Sequence, residues 1–105
     1  LTTTLYNKAV RDLIPSIIRS TGKECLVEQV SDGTFLAYLS EKLAEEVAEY
    51  REKPSLEELA DIMEVVQAIV RLSGHTWEEL EHERAEKARK RGHFKENLIL
   101  LEVKE

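Results

Sequence analysis

The clearest pattern along the chain is a stripe of apolar residues at steps of three and four: Leu36, Leu39, Leu43, Val47 and Tyr50. That spacing keeps one side of an α-helix apolar and predicts a helix over about 34–52. Ser31-Asp32-Gly33 ahead of it reads as a turn and N-cap, and Lys53-Pro54 stops it. A second helix follows over 56–72. Ser55 with Glu58 has the spacing of a capping box at its start, and Gly74 ends it. Leu59, Met63, Val66 and Val70 give this helix one apolar face. Ile62, Val65, Ala68 and Ile69 widen it until the helix is apolar almost all round, which implies burial almost all round. Thr76 with Glu79 repeats the capping-box spacing and opens a helix over 77–90, which Gly92 closes.

The two ends read differently. Asp12 is placed to cap a short helix over 13–20, with Pro15 tolerated in its first turn and Thr21-Gly22 ending it. Residues 23–30 alternate loosely, with Cys25, Val27 and Gln29 on one face, and residues 98–103 are apolar and partly β-branched. Both segments are expected as strands that pair into a small ribbon. The fold class is therefore mainly α: a compact helical bundle with a two-stranded β-ribbon, in one domain over 1–105, with 1–4 a poorly ordered lead-in. A core this small is marginal alone, and the excess apolar surface of the 56–72 helix predicts a homo-oligomer, dimer or tetramer.

Composition narrows the classes. Charged residues make up 34% of the chain and the formal net charge is −6, which argues against sequence-independent DNA binding. The charge is unevenly placed: nine acids against three bases over 41–64, then six Lys/Arg against one acid over 84–95. No apolar run approaches the length of a membrane span, and no signal-peptide pattern precedes the fold. The single cysteine, Cys25, forms no internal disulfide, so a cytoplasmic setting is expected.

Four of the acids form two pairs spaced three apart, Glu46 with Glu49 and Glu58 with Asp61, on either side of a Pro-Ser turn. Residues three apart are helix neighbours, so each pair shares a flank. Folding the two helices into a hairpin brings like charges together away from water, which raises both their repulsion and their pKa values. A divalent cation relieves both. Carboxylate oxygens suit Mg²⁺, Mn²⁺ or Ca²⁺ rather than zinc. The plainer reading is a solvated acidic face, with Glu57 and Glu58 favouring a helix dipole and Lys42, Arg51 or Lys53 making ion pairs along the helices.

"EEVAE" (Glu45–Glu49) followed by "ELAD" (Glu58–Asp61) resembles the EExxE…ExxD signature of the all-α nucleoside triphosphate pyrophosphohydrolases, the MazG-like superfamily. "YNKAVRDLIP" (Tyr6–Pro15) and "KARKRGHF" (Lys87–Phe94) resemble its short, single-domain, phosphoribosyl-ATP pyrophosphohydrolase-like branch, and the likeness spans 6–103. The resemblance implies Mg²⁺-dependent hydrolysis of a nucleoside triphosphate to the monophosphate and pyrophosphate, with clearance of unwanted nucleotides as a role that would fit it. It also implies a bundle whose core two chains complete. By position, Glu46, Glu49, Glu58 and Asp61 become metal ligands. Glu45 matches the first Glu of the motif and is the catalytic candidate, as an orienter of water or of a ligand; its outward direction fits a salt bridge as well. Only eight residues separate Glu49 from Glu58. This is shorter than the usual spacing of the superfamily and bears on the loop over the base.

A polyanionic substrate also needs cations. Lys8 and Arg11 in the N-terminal motif, and Lys87 and Arg91 near the end of the last helix, are the candidates for phosphate contact. Surface charge and helix-dipole pairing are the competing roles. His75, His82 and His93 show no metal-ligand spacing, and Trp77 reads as a core anchor. Two other function classes fit the same pattern. One is a non-catalytic helical dimerisation or regulatory module that binds nucleotide or a protein partner. The other is a metal-buffering helical hairpin.

Overall fold

A computed structural model describes residues 2–105. Leu1, part of the expected lead-in, lies outside the described residues. Four helices follow in chain order: α1 (Ile14–Ser20), α2 (Asp32–Glu52), α3 (Leu56–Leu72) and α4 (Trp77–Arg91). The mainly α class holds. The β-ribbon does not form: no strand occurs among the described residues, and 23–30 and 98–103 are without regular structure. A ribbon strand is stable only when its peptide groups meet a second strand. Here the C-terminal segment meets none, and Leu98, Ile99, Leu100 and Leu101 are all exposed.

The helix ends follow local chemistry. Ser31 accepts from the Thr34 N–H at the start of α2, and Ser55 from the Glu58 N–H at the start of α3. At α4 the capping box is complete, with Thr76 and Glu79 each bonding the other's backbone N–H. Asp12 does not cap α1. The N-cap residue is Leu13, without a side-chain bond, and a turn from the Arg11 carbonyl to the Ile14 N–H leads in. Gly74 and Gly92 adopt φ of +83° and +86°, the left-handed conformation that lets the chain leave a helix at no steric cost.

α2 and α3 form an antiparallel hairpin, and α4 touches only α3. The core is thin. Ala9, Leu39 and Val65 are buried, and Phe35, Leu43, Ala68, Ile69 and Leu72 pack around them. α3 thus turns Val65, Ala68, Ile69 and Leu72 inward and leaves Leu56, Leu59 and Met63 exposed. Burial all round α3 is not met within one chain. The radius of gyration is 18.5 Å, with extents of 63 × 32 × 26 Å. A close-packed chain of this length has a radius near 13 Å. No helix of the described residues is long and apolar enough to cross a membrane.

Candidate metal centre

The hairpin geometry brings the two acid pairs together. Lys53-Pro54-Ser55 reverses the chain, so the last turns of α2 lie beside the first turns of α3. Counted out from the Lys53–Pro54 bond, Glu49 is level with Glu58, and Glu46 with Asp61. One carboxylate oxygen from each of Glu46, Glu58 and Asp61 lies within 4.8 Å of the others. Glu46 is 7% exposed, and Glu58 and Asp61 are half-buried. Glu49 stands outside this trio but beside Glu46. With Glu52, Lys53 and Glu58 it lines an open groove of about 400 Å³.

The electrostatics carry the marks of the crowding. Burial pushes the Glu46 carboxyl above its ordinary range, and the neighbouring Glu49 carboxylate adds to the shift, while Lys42 pulls it back. Glu46 Oε2 and Glu58 Oε2 are buried without a hydrogen-bond partner. A buried carboxylate oxygen left unpaired costs its full desolvation penalty, so two in one small site require an explanation. Glu58 sharpens the point. The expected capping box at α3 is only half made: Ser55 Oγ accepts from the Glu58 N–H at 3.1 Å, while the Glu58 side chain is absent from the bonds of the N-cap. It keeps an orphan oxygen in the acidic cluster instead. A local stabilising rule is broken where the acids converge.

Three cations border the cluster. Lys42 Nζ lies 3.6 Å from Glu45 and 3.4 Å from Glu46, and its side chain is mostly covered. Lys8 Nζ donates to Glu45 Oε1 at 3.1 Å, and Arg11 Nη2 donates to Asp61 Oδ1 at 2.7 Å. Buried Ala9 pins this N-terminal segment against Leu39 and Val65, which fixes Lys8 and Arg11 on either side of it. Asn7, at φ +45°, supplies the sharp backbone turn just before Lys8. The Lys8 ammonium also sits 5.6 Å from the centre of the Tyr6 ring. Glu45 is held below its ordinary range, first by the Lys8 hydrogen bond and then by the nearby Lys42 charge.

The residues singled out by sequence therefore separate into two groups. Glu45, Glu46, Glu49, Glu58, Asp61, Lys8 and Arg11 gather at the α2–α3 hairpin, Glu49 at its edge. Lys87 and Arg91 do not join them. Both are exposed on α4, and neither forms an ion pair among the described residues. The sequence offers Lys42 only as one of several ion-pair partners along the helices; its place between Glu45 and Glu46 depends on the packing. His75 pairs with Glu79 at 3.2 Å, away from the cluster.

The trio offers three oxygen donors at a spacing that suits a hard divalent cation, and the orphan oxygens fit that occupant. Comparison with known proteins adds little to the geometry. No protein-family model matches the chain, and no solved structure matches it. An uncharacterized protein of Mycolicibacterium smegmatis is 48% identical over 42 residues, 40% of this chain and 43% of that protein. The matched region thus spans less than half of either.

Proposed function

We propose that the protein is a Mg²⁺-dependent pyrophosphohydrolase that converts a nucleoside triphosphate to its monophosphate and pyrophosphate. Mn²⁺ is an alternative cation for the same oxygen donors. The observation that carries the reading is the pair of unpartnered buried oxygens, Glu46 Oε2 and Glu58 Oε2, on two members of a converging carboxylate trio. The sequence likeness to the MazG-like pyrophosphohydrolases points the same way.

In this reading Glu46, Glu58 and Asp61 hold the cation. When bound, Mg²⁺ supplies charge neutralisation for phosphate oxygens and acidifies a water. Phosphoanhydride hydrolysis asks the chain for position and charge placement. Glu49, outside the trio and beside Glu46, would accept the proton of an attacking water. Lys8 and Arg11 are partly exposed at 39% and 55%, so their ends turn from Glu45 and Asp61 toward phosphate without unfolding anything. Glu45, tied to Lys8 and Lys42, positions these ammonium groups rather than touching the reacting atoms. A cytoplasmic homodimer or homotetramer belongs to the same reading.

Incubation of the purified chain with each nucleoside triphosphate, with and without Mg²⁺, tests it directly. Pyrophosphate release that needs Mg²⁺ is expected with at least one base. Release from none of them by a folded, assembled protein would sink it. One observation favours a second reading, a non-catalytic dimerisation or regulatory module: the bare apolar stripe of Leu56, Leu59 and Met63 on α3. That reading predicts nucleotide or partner binding that Glu58→Gln leaves unchanged.

A further inference from the structure

The C-terminal quarter of the chain is at odds with its surroundings. α4 contacts α3 but no other helix, and the segment after it, 93–105, has no regular structure. Leu98, Ile99, Leu100 and Leu101 are each about four-fifths exposed, and Val103 is 68% exposed. Their alternation puts Leu98 and Leu100 on one side of an extended backbone and Ile99, Leu101 and Val103 on the other. A segment apolar on both sides is built to be covered on both sides. Nothing in the single chain covers it.

A surface of matching character lies elsewhere on the molecule. Leu56, Leu59 and Met63 run at steps of three and four along α3, exposed at 83%, 45% and 51%. Glu57 and Glu64 lie together to one side of this stripe on the same helix, in the most acidic part of the chain. The C-terminal segment 89–103 leans the other way, with Arg89, Lys90, Arg91 and Lys95 against Glu96 and Glu102, Arg89 being paired with Glu86 on its own helix. Apolar surface therefore answers apolar surface, and basic residues answer acidic ones. The area agrees. The chain exposes 9840 Å², roughly 3,800 Å² more than the about 6,000 Å² usual for a folded monomer of 12.1 kDa. Obligate dimers bury about 1,000–2,500 Å² per partner, so the excess is large enough for an exchanged arm.

We infer that the C-terminal segment, 89–103, is an arm that docks on a second copy of this chain, laying Leu98–Val103 over the partner's α3 stripe with its basic root against the partner's acidic hairpin. By two-fold symmetry each copy gives an arm and receives one, a self-complementary and closed arrangement. The inference deepens the homo-oligomer reading and rests on it. It does not depend on the hydrolase reading.

Sedimentation of the full chain and of Leu100→Asp tests the arm. A dimer is expected for the parent. Leu100→Asp is expected to weaken dimerisation by about thirtyfold or more, since it puts a charge at the centre of a buried apolar contact. A second variant keeps the test sound if that chain misfolds: Cys25→Ser with Met63→Cys and Leu100→Cys, treated with a mild oxidant. An arm exchanged between copies gives a disulfide-linked dimer. A monomer with an internal disulfide, or with both thiols free, overturns the proposal. A parent that stays monomeric at micromolar concentration overturns the arm and the oligomer together. A parent dimer that Leu100→Asp leaves equally tight overturns the arm alone. Normal pyrophosphate release by a monomeric Leu100→Asp chain would still confirm the arm and would leave the hydrolase reading standing.

Discussion

Glu46→Gln separates a metal ligand from a structural ion-pair partner, because the two roles predict opposite signs. The substitution keeps the shape of the side chain and removes its charge. Two unit charges 4.8 Å apart repel by about 3.5 kcal/mol at an effective dielectric of about 20. Glu46 faces Glu58 and Asp61 at no more than that separation, with Glu49 adjoining. Lys42 at 3.4 Å and Arg11 on Asp61 offset much of the repulsion. A net relief of about 1–2 kcal/mol remains, once those attractions and the partly open rim are taken off. Lys42 keeps Glu45 as a partner, so no ammonium is stranded. In EDTA the variant is therefore expected to melt above the parent, by about 4–8 °C per kcal/mol for a chain of this size. With Mg²⁺ at a hundred times its dissociation constant the parent gains about 2.7 kcal/mol, and the variant, short of a ligand, gains much less. The order of melting temperatures thus inverts between the two buffers. Thermal unfolding followed by circular dichroism reads both arms. A variant that melts lower in EDTA, with Mg²⁺ leaving both proteins unmoved, would refute the reasoning and make Glu46 a plain partner of Lys42.

Further outcomes are expected at separate places. Glu58→Gln should lower Mg²⁺-dependent pyrophosphate release by at least about 100-fold, read in the same coupled assay, because Mg²⁺ contributes several kcal/mol of charge stabilisation. Arg11→Ala should raise KM for the nucleotide by about 10–100-fold, as for a lost charge-assisted phosphate contact, and cost at most about 1 kcal/mol of stability, since its Asp61 pair is exposed. Thr76→Ala should lower stability by about 1 kcal/mol in a urea titration, through loss of the α4 capping box, and leave divalent binding intact. In EDTA, stability should fall as pH rises from the ordinary carboxylate range through the elevated Glu46 value: the folded state holds a proton there that the unfolded state has released. The Glu46→Gln variant should lack that slope. Glu45 acts in the opposite sense, its stabilising pair with Lys8 being complete above the ordinary carboxylate range and lost as pH falls through its lowered value.

The parts of the fold legible in the sequence are those governed by neighbours along the chain. The α2 stripe, the α3 span and the Thr76–Glu79 capping box all follow from spacings of three or four residues, and the helices sit where those spacings place them. So does the hairpin that levels Glu46 with Asp61, because Lys53-Pro54-Ser55 leaves the chain little choice. Long-range chemistry was out of reach. Lys8 meets Glu45 across 37 residues and Arg11 meets Asp61 across 50, and no local pattern encodes either pair. The same limit explains the missing ribbon. Residues 23–30 and 98–103 have strand-like composition, but a strand is a relation between two segments, and the folded chain does not bring these two together. Asp12 failed as a cap for a smaller reason: the Arg11-to-Ile14 turn makes Leu13 the N-cap residue and starts the helix one residue later than expected.

The charge inventory at the hairpin has a stoichiometric consequence. Without substrate, five carboxylates, Glu45, Glu46, Glu49, Glu58 and Asp61, meet three neighbouring cations, Lys8, Lys42 and Arg11, which leaves a formal deficit of two. One doubly charged ion balances that deficit. Another arriving alone would overshoot it, so in a two-ion pathway the second would be recruited only as an escort of the polyphosphate, whose own negative charge restores neutrality.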